Sequence, residues 1–151
     1  MSIKLLFFVF LTHFTYPRLN AASITLSGNP APLVIARATA GQEPAKVTDT
    51  STTCSIKVSN QKTVSLMASL TSPMNAYTTL KINLSTPYRG ANNQTVTLDC
   101  TPKMLLAGIT EGFYENLIIT YEYSATVAAG VIPLCCKTII LTVLENEGPF
   151  N

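Results

Sequence analysis

The chain reads as an all-β protein, an antiparallel β-sandwich of about seven strands. Apolar and polar residues alternate with a period of two along most of it, which puts one set of side chains into a core and the other into water. Clusters of turn-forming residues separate the alternating runs at roughly 8–12-residue spacing, the rhythm of a sandwich. No internal repeat and no low-complexity tail points to another architecture.

The first element is not a strand of that sandwich. Lys4 precedes the apolar run Leu5-Leu6-Phe7-Phe8-Val9-Phe10-Leu11, and a more polar stretch, Thr12 to Asn20, leads to Ala21-Ala22. Basic, apolar and small-residue regions in that order are what export machinery reads, so residues 1–22 are expected to be a secretory signal. The run is too short to span a bilayer, which needs about 20 apolar residues. The competing assignment is a buried core segment. Cleavage after Ala21 or Ala22 leaves one domain over 23–151, which is secreted, periplasmic or at the cell surface and has no integral membrane segment.

The remaining elements follow in order. Ile24 and Leu26 alternate with Ser23, Thr25 and Ser27, and Gly28-Asn29-Pro30 ends that run. Leu33-Val34-Ile35 is a weaker strand candidate. Ala38 to Thr53 is polar and reads as a long surface connection. Cys54-Ile56-Val58, Val64-Leu66-Ala68-Leu70, Leu80-Ile82-Leu84, Val96-Leu98-Cys100 and Leu117-Ile119-Tyr121-Tyr123 each mark an inward-facing phase. Pro102 to Ala107 is a weak helix candidate, since proline suits a first helical turn. Thr138 to Leu144 is nearly all apolar, as expected of a strand covered on both faces.

Charge and composition exclude several functions. Lys4 and Arg18 leave with the signal, so eight charges of each sign remain and the net charge is near zero. Nucleic-acid binding therefore has no electrostatic support, and a near-neutral surface associates readily. The single histidine, His13, lies in the signal. Its loss removes Ser-His and Cys-His nucleophile pairs and histidine metal sites. Asp49 and Asp99 are too few for a calcium cage. No catalytic residue, cofactor site or metal site is expected. Glu111 and Glu115, beside Gly112, could mimic a catalytic carboxylate pair, but solvated loop charges explain them better.

Four cysteines in an exported chain suggest disulfides, and four allow three pairings. Cys54 begins one strand and Cys100 ends another, both in the inward phase, so the two meet if those strands are antiparallel neighbours. Adjacent Cys135 and Cys136 should point to opposite faces. They read as small apolar residues of a strand, as a strained bond between neighbours, or as a redox pair lacking the usual Cys-x-x-Cys spacing. Asn83-Leu84-Ser85 and Asn93-Gln94-Thr95 match the glycosylation sequon, and matter only in a eukaryotic source. Tyr121 and Tyr123 read as cross-strand packing rather than a ligand-facing pair.

The start Ala22-Ser23-Ile24-Thr25-Leu26-Ser27-Gly28 after the signal resembles the start of mature bacterial pilin-like and spore-coat-U-like exported proteins. The closing stretch is similar to their ends: Leu117 to Ser124, then Ala129-Gly130, then Thr138 to Val143. Ile132-Pro133-Leu134-Cys135-Cys136 departs from the Tyr-Ser-Asp-like stretch expected after Ala-Gly. The resemblance implies an immunoglobulin-like sandwich in a surface fibre or coat, without catalysis. Its partners would be itself, other surface subunits or a periplasmic chaperone. Residues 23–27, an alternating strand that Gly28 and Pro30 can release, are a candidate association strand, with Ile24 and Leu26 filling apolar pockets of a neighbour; the competing assignment is that the same strand closes its own sandwich. The alternatives are a monomeric extracellular module binding a carbohydrate or protein, and a secreted carboxylate-only hydrolase.

Overall fold

A computed structural model describes the backbone of residues 3–9, 22–59, 62–86 and 92–146, and the side chains of those from 22 onward except 92, 93 and 146. In chain order the strands are β1 (Ile3–Val9), β2 (Ala22–Ser27), β3 (Leu33–Ile35), β4 (Val47–Val58), β5 (Thr63–Leu70), β6 (Thr78–Leu84), β7 (Asn92–Asn93), β8 (Val96–Thr97), β9 (Lys103–Ile109), β10 (Gly112–Ala125) and β11 (Cys135–Asn146). They form two sheets, ordered β3-β1-β11-β5-β9-β7 and β2-β4-β10-β6-β8. The protein is an all-β sandwich. Among the described residues every ladder is antiparallel except one: β1 runs parallel to β11.

The core lies between the sheets and follows the alternation of the sequence. From the second sheet come Cys54, Ile56 and Val58 of β4, Leu80, Ile82 and Leu84 of β6, and Leu117, Ile119, Tyr121 and Tyr123 of β10. From the first come Leu33 and Ile35, Val64, Leu66, Ala68 and Leu70 of β5, Leu105, Leu106 and Ile109 of β9, and Ile139 and Leu141 of β11. Because the period is two, each buried run fixes its register: a slip of one residue would turn the whole set to solvent. The longest strand, β10, shifts register against β4 between Tyr114 and Leu117. Asn116 there has φ 56°, a left-handed conformation that asparagine tolerates better than most residues.

Four expectations are corrected. Among the described residues the strands number eleven rather than about seven, because β3, β7 and β8 are short edge or flanking pieces and β1 joins a sheet. Residues 102–107 are not helical: Lys103–Ile109 is a strand between β5 and β7. A helix that short is marginal in water, whereas the strand buries Leu105 and Leu106 completely. The polar stretch 38–53 is only partly a connection, since Val47–Thr53 is the first half of β4. Its run of threonines suits a pleated, half-exposed surface. Finally, β11 is not covered on both faces. Ile139 and Leu141 are buried, while Leu144 is 47% exposed.

Candidate association interface

The slot occupied by β1 is the most distinctive part of the architecture. β1 is an interior strand, with β3 on one side and β11 on the other. Ile3, Lys4 and Leu5 pair with Ile35, Val34 and Leu33. Leu5, Leu6, Phe7, Phe8 and Val9 pair with Cys135, Cys136, Lys137, Thr138 and Ile139. Leu5 thus belongs to both ladders. Among the described residues β3 has no other sheet neighbour than β1. Leu33 and Ile35 on β3, and Ile139 on β11, are at most 3% exposed. Buried apolar side chains thus stand on both walls of the slot, and β1 pairs with the hydrogen-bonding edge of each.

The wall on β11 also contains a buried lysine. Lys137 is inward in phase and 8% exposed. Its Nζ donates to Ser72 Oγ at 3.2 Å and to the Pro73 carbonyl. These contacts answer the ammonium's need for acceptors on leaving water. They also tie the turn after β5 to β11, and Thr71 N donates to Thr138 O beside them at 3.1 Å.

The strand singled out in the sequence lies elsewhere. β2 is the edge of the second sheet and pairs antiparallel with β4, Ile24 opposite Ile56 and Leu26 opposite Cys54. Ile24 is 7% exposed and Leu26 packs half-buried against the core. The turn after it is pinned. Gly28 has φ +85°, and a Cβ there would stand 2.4 Å from the Ser51 carbonyl oxygen, so only glycine fits. Ser51 Oγ donates to Asn29 O at 2.9 Å. In this structure Ile24 and Leu26 close their own sandwich.

The cysteines are all free thiols. Cys54 and Cys100 do not meet: Cys54 is on β4, Cys100 follows β8, and β10 and β6 lie between β4 and β8. Cys100 itself lies past the end of β8, in the bend where the Asp99 carbonyl accepts from Leu70 N at 2.7 Å. Cys54 is fully buried, and burial pushes its thiol pKa up to about 12. Cys100 is exposed in the bend before β9. Cys135 and Cys136 open β11 and take opposite faces. Cys135 packs against the core, with Asn75 Nδ2 4.0 Å from its sulfur, and Cys136 is exposed.

The remaining candidates disperse. Tyr121 and Tyr123 are buried in the core. Burial raises both phenols, Tyr121 to about 12. Glu111 is exposed in the β9–β10 turn, and Glu115, expected in the same loop, is exposed within β10 at its register shift. Asn83 Nδ2 donates to Thr95 Oγ1 at 3.1 Å, and Ser85 Oγ accepts from Ile118 N at 2.8 Å, so the first sequon is engaged with its surroundings. The side chain of Asn93 lies outside the described residues. Among the described residues no three His, Cys, Asp or Glu side chains converge as metal ligands, and no helix is long and apolar enough to cross a membrane.

A cavity of about 350 Å³ lies beyond the end of β3, lined by Ile35, Arg37, Ala40, Pro44, Val127 and Gly130 among others. The Val127 amide donates to Glu43 Oε2 at 2.8 Å, which holds its two walling loops together. The sequence had no signal for this cavity, since its lining comes from segments far apart in the chain. The slot was half legible. The apolar run of β1 was visible, but an export signal and a buried strand share that composition.

No family model matches the chain, and no match is found among curated proteins.

Proposed function

We propose that this is an exported structural or adhesive surface subunit of a fibre or coat, which associates by accepting a strand from another copy or another surface subunit. One observation carries the reading: the apolar segment with the features of a secretory signal is an interior strand of a sheet. If export removes it, the sandwich lacks a strand between β3 and β11. The open edges and the apolar walls at Leu33, Ile35 and Ile139 then call for a strand from outside, the β-addition mode of recognition. A periplasmic chaperone could lend one before assembly. The near-neutral mature surface offers little repulsion between copies. The immunoglobulin-like variety of the sandwich and the absence of catalysis belong to the same reading. Because Ile24 and Leu26 are engaged with β4, the acceptor slot rather than β2 is its foundation.

The test is the assembly state of the chain beginning at Ala22, by gel filtration with and without denaturant and by electron microscopy. Oligomers or fibres are expected. A folded monomer at every concentration overturns the proposal. The cavity beside Arg37 favours a second reading, a monomeric binding module. That reading requires a saturable ligand whose binding is lost in Arg37→Ala.

A further inference from the structure

The position of β1 bears on when the slot becomes available as well as on what fills it. β1 pairs in the first sheet and β2 in the second, and residues 10–21 are the covalent connection between them. The small-residue cleavage region, Ala21-Ala22, stands where that connection meets β2. A single cut there severs an interior strand from the body of the protein. Hydrolysis breaks one peptide bond, water supplying OH to the new carboxyl group and H to the new amine, with a processing peptidase as catalyst. Afterwards β1 is held by non-covalent contacts alone.

We infer that the amino-terminal segment is a removable plug: uncut, β1 fills the slot between β3 and β11 and keeps the chain from associating, and its removal opens that slot to a strand of a second copy. The inference rests on the strand-addition reading and adds the control of that same site.

The argument is one of competition. A tethered strand faces its slot at an effective concentration in the millimolar range, so a second copy at micromolar concentration is outcompeted by roughly a thousandfold. Once cut, the same strand is an ordinary ligand and dilutes away by mass action. The slot suits such a handover. β3 is only three residues long and depends on whatever lies in the slot for its ladder. Without an occupant β3 is left without a ladder among the described residues, and its apolar Leu33 and Ile35 then stand on an open edge, which favours an apolar replacement over water. A second copy is the natural source. Its near-neutral charge without residues 1–22 does not repel the first.

The experiment compares four samples at equal concentration by light scattering, with circular dichroism as the check on folding. They are the full chain, the chain beginning at Ala22, that shorter chain with excess synthetic Ile3–Val9 peptide, and full-length Leu5→Pro. Leu5 belongs to both ladders, so proline there interrupts the plug on whichever side its amide serves. A monomeric full chain, an associating shorter chain, reversal by peptide and association of Leu5→Pro are expected. Equal association of the full and shortened chains overturns the plug but leaves strand addition standing. A folded shortened chain that stays monomeric overturns both. Association that peptide does not reverse overturns the plug, because the contact then lies outside the slot. If the shortened chain is unfolded alone, recovery of β-structure on adding peptide supports the plug, and failure to recover overturns it.

Discussion

β2 and β1 are both short apolar strands near the amino terminus, yet β2 has one sheet neighbour and β1 has two. β2 lies on the rim of the second sheet, in register with β4 from Ala22–Val58 to Ser27–Thr53, and its outgoing turn is locked by Gly28 against Ser51. β1 lies inside the first sheet, and its ladders to β3 and β11 overlap at Leu5. Losing an edge strand only moves the edge inward by one. Losing an interior strand divides the sheet and strips β3 of its ladder. The strand that reads as an association element thus pairs with β4 of its own domain, and the segment that reads as disposable occupies an interior position of a sheet.

The largest effect should come from breaking the integral strand. Ile24→Asp with Leu26→Asp places two carboxylates against the core at Ile56 and Cys54. Unpaired buried charge costs about 3–5 kcal/mol, enough to threaten a domain whose whole stability is of order 5–15 kcal/mol. Urea unfolding should show the loss in chains with and without residues 1–21. Unchanged stability with lost oligomers would instead return β2 to the role of donor.

The slot wall should respond differently in the two chains. Leu33→Ala in the full protein removes a fully packed side chain and should cost about 2–5 kcal/mol. In the chain beginning at Ala22 β3 has lost its ladder to β1, so the same change should cost less than in the full protein. Equal losses in both would mean that β1 contributes nothing to the burial of Leu33. A smaller loss, about 1–3 kcal/mol, is expected from Gly28→Ala, which must leave a left-handed conformation and move the Ser51 carbonyl. Thermal melting of this variant measures how firmly the turn pins β2.

How much of this contrast the sequence reveals depends on whether it is set locally. The inward phases of β4, β5, β6 and β10 were legible because alternation over five or more residues maps directly onto burial, as with Cys54-Ile56-Val58 and Leu117-Ile119-Tyr121-Tyr123. β9 was not, because Met104-Leu105-Leu106-Ala107 carries no alternation and a short apolar run fits helix and strand alike. The Cys54–Cys100 pairing failed for a different reason. Which strands are neighbours is a long-range property, and two strands intervene. The place of β1 in a sheet was not legible, since buried strands and export signals are both short apolar runs and composition does not separate them.

Cys54 offers a pH readout of the same contrast, because it lies between Leu26 of β2 and Leu117 of β10. Its folded pKa is raised from 9.0 to about 12, and that of Tyr121 from 10.0 to about 12, in both cases chiefly by burial. The unfolded chain therefore releases these protons first as pH rises. The contribution is complete below pH 9 and is lost between about pH 9 and 12. The slope is about 1.4 kcal/mol per pH unit from Cys54, with a second such slope from Tyr121 above pH 10. Melting curves across this range should show it, and Cys54→Ala should remove the part that begins at pH 9. Rapid alkylation of Cys54 at neutral pH would show that β2 leaves the sheet readily.

The smallest effect belongs to the outer face of the second sheet, away from the slot. Glu122 on β10 receives Lys46 Nζ at 2.8 Å and stands 4.0 Å from Lys81 Nζ. The Lys46 hydrogen bond, with the charges of both lysines, holds its carboxyl below the ordinary value. A depressed carboxyl contributes stability above its unfolded pKa and loses it as pH falls through the folded one. Solvent screens a pair this exposed, so its effect on melting should be near the limit of detection. The titration itself is the better measurement. By carboxyl NMR, Lys46→Ala should move the Glu122 midpoint upward, and added salt should do the same in the parent protein. Both shifts should be alike with and without residues 1–21, because Glu122 pairs with Thr48 and Lys81 and touches neither wall of the slot. A midpoint that moved when β1 was removed would mean that the two sheets respond together, and that loss of the interior strand reaches beyond its own sheet.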